Sequence, residues 1–214
     1  MKELILKHTN FYVRVILSLT FLGHGLVSLG LSPSITLHVD LMEGMNFTDI
    51  KTSQLILIQA YFDIIISILL LINFQIRFII KIVLSYLVLV CVSALIFYWN
   101  KTGSIFGIAE CLRHFPWILF ALFIMSDLNK DAKYHYIRIG LAFAFIAHGF
   151  ASLGFLGLNQ AHIDLANNII SSENAKIFIT YAGISDTIIG IMLLQSVFTK
   201  WVSLIGVLWI TFIV

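Results

Sequence analysis

Apolar residues fill seven long runs along this chain, near residues 11–31, 55–74, 78–98, 108–126, 137–158, 177–197 and 201–214, with most polar residues gathered between them. All but the last approach the ~20 residues that a helix needs to cross a bilayer core. The pattern predicts an all-α fold, a polytopic transmembrane helix bundle lying in the lipid bilayer.

Polar residues inside the runs recur in order. Arg14–Leu41 reads RVILSLTFLGHGLVSLGLSPSITLHVDL, and Arg138–Leu165 reads RIGLAFAFIAHGFASLGFLGLNQAHIDL. At a constant offset of 124 the two share eleven of twenty-eight residues without a gap, among them Arg14/Arg138, His24/His148, Gly25/Gly149, Ser28/Ser152, Gly30/Gly154, His38/His162 and Asp40/Asp164. Further on, Asp63 matches Asp186 and Arg77 matches Lys200, both at offset 123. Polar residues repeated at fixed spacing point to a duplicated unit. The expected domains are a first four-helix repeat over 1–130 and a second over 131–214. The run Trp201–Val214 has only fourteen residues and no polar flank, whereas its counterpart continues to Tyr98 and is followed by a fourth helix. The expectation is that the second repeat is cut short, leaving about seven helices.

The repeat also settles how the N terminus reads. Basic residues followed by an apolar core resemble a signal peptide, but the same stretch occurs in mid-chain, so residues 11–31 are expected to be a retained helix. With the N terminus cytoplasmic, nine of the thirteen Lys and Arg residues lie inside, and only Lys51, Lys101, Arg113 and Lys176 fall outside. That orientation makes this a multi-pass cell-membrane protein with the His38 and His162 loops on the outer face. Four helices in the first unit start the second on the same side, so the repeats are parallel and related by a pseudo-twofold axis along the membrane normal.

Composition agrees with this reading. Sixty per cent of residues are hydrophobic, 11% are charged, and mean hydropathy is +1.00, whereas soluble domains carry about 25% charged residues. A net charge of +2 argues against a nucleic-acid partner. Cys91 and Cys111 show no close metal-ligand spacing. Packing is the default for both, and a redox-active pair is the alternative.

Candidate chemistry rests on ionisable residues inside the apolar runs. His24 lies about seven residues, roughly 10 Å, below the outer end of its helix, and Asp63 sits at similar depth. Such groups are costly in hydrocarbon and face a bundle interior or a wet cavity. A His24–Asp63 pair, with His148–Asp186 as its copy, accounts for them either as helix-to-helix glue or as a proton-handling, ligand-orienting pair. Gly25, Ser28 and Gly30 keep the helix face small, which allows close helix approach or leaves room for a flat ring such as a quinone headgroup. Haem bound between His24 and His148 is disfavoured, because nothing in the sequence brings those helices together.

An outer-face cluster is the second candidate. His38-x-Asp40 and His162-x-Asp164 are short of a metal site on their own, and an interfacial turn is the preferred account; no metal site is assigned. Glu110, Arg113 and His114 share a face at i, i+3 and i+4, either as an ion pair anchoring a helix end or as members of that outer cluster. No P-loop, dinucleotide fingerprint, nucleophile elbow or HExxH motif occurs.

The arginine opening the first helix, the His-Gly pair near its outer end and the acidic residue among small residues in the second, clearest in Ala182–Gly190, together resemble the DoxX-like four-helix membrane proteins. This chain departs from them in being a tandem pair, in having lost the glycines around Asp63, and in carrying aspartate where glutamate is commoner. The resemblance implies a redox-associated membrane subunit, with a quinone or a redox partner subunit as its associate and His24, Asp63 and their copies orienting or protonating a quinone-like ligand. Alternatives are a proton-coupled small-solute transporter, against which Pro33 and Pro116 lie near span ends rather than in mid-membrane, and a non-catalytic assembly partner.

Overall fold

The computed structural model describes residues 2–31, 52–101, 104–126, 130–155, 163–164, 166–167 and 170–195. Six α-helices are found among them: α1 (Lys2–Leu26), continued by a π-type turn over Val27–Leu31, α2 (Thr52–Leu71), α3 (Ile76–Lys101), α4 (Ser104–Met125), α5 (Lys130–Ser152) and α6 (Ser172–Leu194).

Among the described residues, four stretches are long and apolar enough to cross a membrane: Thr9–Leu31, Ser53–Leu71, Ile76–Ile96 and Glu173–Leu194. Of the runs expected at 108–126 and 137–158, the described residues include α4 and α5, which differ from a full span. The apolar part of α4 is only His114–Met125. Helix α5 begins at Lys130 and carries Lys133 and Arg138 in its first turns, then ends at Ser152, which leaves it short of the ~20 apolar residues needed. The run 201–214 lies outside the described residues.

Helix ends follow local backbone chemistry. Gly30 (φ 82°) and Gly154 (φ 79°) both adopt the left-handed conformation, which glycine enters without a Cβ penalty. After α5 the Gly154 N–H donates to Ala151 O and the Phe155 N–H to Phe150 O, while the Phe150 and Phe155 rings pack 5.6 Å apart. This is a Schellman cap with its apolar contact. Asn73 (φ 60°) ends α2 the same way, with the Phe74 N–H donating to Leu69 O.

Two compact units divide the chain, Met1–Leu87 with Phe120–Lys130, and Val88–Leu119 with Asp131–Val214. In the first, Val13, Leu17 and Phe21 recur every fourth residue on α1 and are buried, as are Ile56, Ala60 and Leu70 of α2. In the second, Ala142 and Phe145 of α5 form a core with Ile189 and Leu193 of α6. The outward faces are equally apolar: Leu57, Ile58, Ile65 and Ile68 on α2 and Ile177, Ile184, Ile188 and Ile191 on α6 are exposed. A helix that is hydrophobic all round belongs in a protein core or in lipid.

Within each unit the two leading helices approach closely at small residues. A Cβ on Gly25 would come within 3.0 Å of Ala60 O, and one on Gly149 within 2.8 Å of Gly183 O. Further along, Ser18 Oγ donates to Ser67 O at 2.8 Å, where the other unit has Ala142 and Gly190 in contact. Gly25 and Gly149, beside His24 and His148, therefore serve close helix approach, the first of the two readings of these small residues.

Candidate functional site

Close approach of α1 and α2 sets the side chains one residue before Gly25 and three after Ala60 against each other. His24 Nδ1 lies 2.6 Å from Asp63 Oδ2. The corresponding crossing of α5 and α6 places His148 Nδ1 2.5 Å from Asp186 Oδ2. With the carboxylates ionised, Nδ1–H of each imidazole donates, which fixes the tautomer and directs Nε2 away from the acid.

Burial is unequal across each pair, and the inequality matters. Asp63 and Asp186 are 0% and 2% exposed at the side chain, whereas His24 and His148 are 32% and 46% exposed. The acid is enclosed between helices, and the imidazole forms the contact with what lies outside. A carboxylate in mid-span costs ~2.5–3.5 kcal/mol on insertion scales, while cross-helix hydrogen bonds in membranes return about 0.6–2 kcal/mol. One such bond by itself does not offset the acid; in the first unit Tyr86 of α3 also bonds Asp63.

Tyr86 and Gln59, which the sequence did not single out, complete the first site with Ser28, which it did. Tyr86 of α3 stands beside Asp63, receives a hydrogen bond from Gln59 Nε2 at 3.1 Å, and is flanked by the rings of Phe21 and Phe62 at 6.1 and 5.0 Å. Gln59 lies one turn before Asp63 on the same face of α2, a spacing that flags it in retrospect. Tyr86 gave no such signal, because only the rotation of α3 brings it here. One turn beyond His24, Ser28 is buried and its Oγ has no hydrogen-bond partner. A buried orphan hydroxyl is costly, and a ligand oxygen beside it would relieve that cost.

The arginines that open the repeated sequence differ in role. Arg138 donates to Leu193 O and Leu194 O, each at 3.3 Å, so it caps the C terminus of α6 against its dipole. Arg14 lies over the Phe11 ring at 5.6 Å.

Of the outer-face candidates, His38, Asp40 and His162 lie outside the described residues. Asp164 is exposed. Glu110 and Arg113 are positions on α4, and His114 is half-buried on the same helix. Among the described residues no three His, Cys, Asp or Glu side chains gather to hold a metal ion. Pro116 is buried inside helix α4 but lies two residues into its apolar segment His114–Met125, near the span end as expected; its missing N–H interrupts the helical ladder there.

Compared with known proteins, the chain matches no protein-family model, no curated protein and no solved structure.

Proposed function

We propose that this chain is a multi-pass membrane protein of DoxX-like type whose two His–Asp pairs handle protons for a lipid-soluble redox ligand of the quinone class. One observation carries the reading: an enclosed aspartate hydrogen-bonded to a half-exposed histidine occurs twice, at matching positions. The energetics of the pair weigh against adhesion as its only purpose. In the first unit, His24 and the Ser28 hydroxyl are one turn apart and suit a carbonyl oxygen, and Asp63 keeps the imidazole oriented. A bound quinone supplies two-electron, two-proton chemistry; the protein's part is to hold it and to exchange a proton at His24 Nε2.

Two parallel repeats belong to the same reading, supported by the shared residues, the paired left-handed glycines and the two His–Asp contacts. So does a cytoplasmic N terminus, supported by the bias of basic residues. Titration of the detergent-purified protein with decyl-benzoquinone, followed by tryptophan fluorescence, is the test. Saturable quenching is expected, weakened at least about tenfold, roughly 1.4 kcal/mol, by His24→Ala with His148→Ala. No saturable binding overturns the proposal.

Proton-coupled transport of a small solute is a second reading, supported by repeated intramembrane His–Asp pairs. Uptake into proteoliposomes driven by a pH gradient and abolished by Asp63→Asn distinguishes it.

A further inference from the structure

Cys91 of α3 and Cys111 of α4 meet in the second unit. The Cys111 thiol donates to Cys91 O at 3.3 Å, both side chains are half-buried, and neither is in a disulfide. Twenty residues apart in sequence, they sit on different helices, so their meeting is a product of the fold and not of local spacing. Cys91 lies within the apolar span Ile76–Ile96, and Cys111 stands just before the apolar segment His114–Met125, so a lipid-soluble reagent has access to both. His114 follows Cys111 by three residues, which places it on the same face of α4, and it is half-buried there.

We propose that Cys91 and Cys111 form a reversible dithiol–disulfide pair that bridges α3 and α4. Side-chain rotation turns the Cys111 sulfur from the Cys91 carbonyl to the Cys91 sulfur, and a bridge spans Cα atoms about 4.4–6.8 Å apart. Thiolate is the reactive form, and His114 is the base that receives the Cys111 proton. Two S–H bonds break and one S–S bond forms. The two electrons and two protons pass to a quinone-class acceptor, which leaves as the hydroquinone. The choice of acceptor rests on the proposed function; the thiol pair does not.

The test uses the full chain in detergent, alkylated with N-ethylmaleimide under denaturing, non-reducing conditions and weighed intact. Reduced protein is expected to take two maleimides. After diamide, and separately after decyl-benzoquinone, monomer is expected to take none, and to take two again after dithiothreitol. Cys91→Ser and Cys111→Ser each keep one alkylatable thiol throughout. His114→Gln slows closure on the order of a hundredfold while leaving the final extent unchanged. Two maleimides on the monomer after diamide overturn the pair and leave the Cys111 contact as packing. Closure by diamide but not by quinone overturns the acceptor alone.

Discussion

Asp63 and Asp186 are enclosed acids in helices that otherwise contain little but hydrocarbon; an imidazole nitrogen bonds each, and Tyr86 also bonds Asp63. If those pairs existed for adhesion, replacing both members with leucine would be damaging. The insertion cost of the acid argues the reverse. His24→Leu with Asp63→Leu is expected to unfold in detergent no earlier than the parent, because well-packed hydrophobic residues commonly equal or exceed a buried pair. His24→Leu alone takes the imidazole donor from the acid, leaves it with Tyr86, and is expected to cost about 1–3 kcal/mol. Thermal unfolding of the two variants side by side checks this, and a double variant less stable than the single one contradicts it. The pairing of His24 with Asp63 was legible in the sequence because both are ionisable at similar depth and both recur. Gln59, Tyr86 and the orphan Ser28 hydroxyl complete the first site. Tyr86 was not legible, since hydrophobic runs reveal that a helix is buried in lipid but not how it is rotated.

At the scale of elements, the repeated glycines divide into two kinds. Gly25 and Gly149 permit close helix approach, as their place beside the histidines suggested. Gly149→Ala puts a Cβ against Gly183 O and Thr187 N, which are main-chain atoms unable to retreat, and is expected to destabilise the protein by about 1–3 kcal/mol. Gly30 and Gly154 instead stop their helices at positive φ. Gly154→Ala is expected to cost about 1–2 kcal/mol for the left-handed conformation alone. Thermal unfolding measures both, and a Gly154→Ala protein as stable as the parent contradicts the cap. Helix existence was legible from apolar runs almost everywhere. Helix ends were less so: α5 reaches back to Lys130, because charged residues join a helix readily once it emerges from an apolar stretch. Pro116 sits inside α4, where a neighbouring turn lost its hydrogen bond without ending the helix.

At the scale of the molecule, the expectation of membrane residence rests on the apolar outer faces of α2, α3 and α6 as much as on length. A reporter active only outside the cytoplasm is expected to work when fused within residues 42–48 and to fail at the N terminus, in keeping with the bias of basic residues. The reverse pattern inverts the orientation. The proposed chemistry is then reached from the bilayer, through the half-exposed His24 and His148. Photo-crosslinking of the purified protein with an azido-quinone, followed by peptide mapping, asks this of the site itself. Saturable labelling is expected on α1 over Gly23–Ser28 and on α2 around Asp63, competed by decyl-benzoquinone and lost in His24→Leu with Asp63→Leu. Labelling that is absent, or that persists undiminished in the folded double variant, contradicts a ligand site at the His–Asp pair.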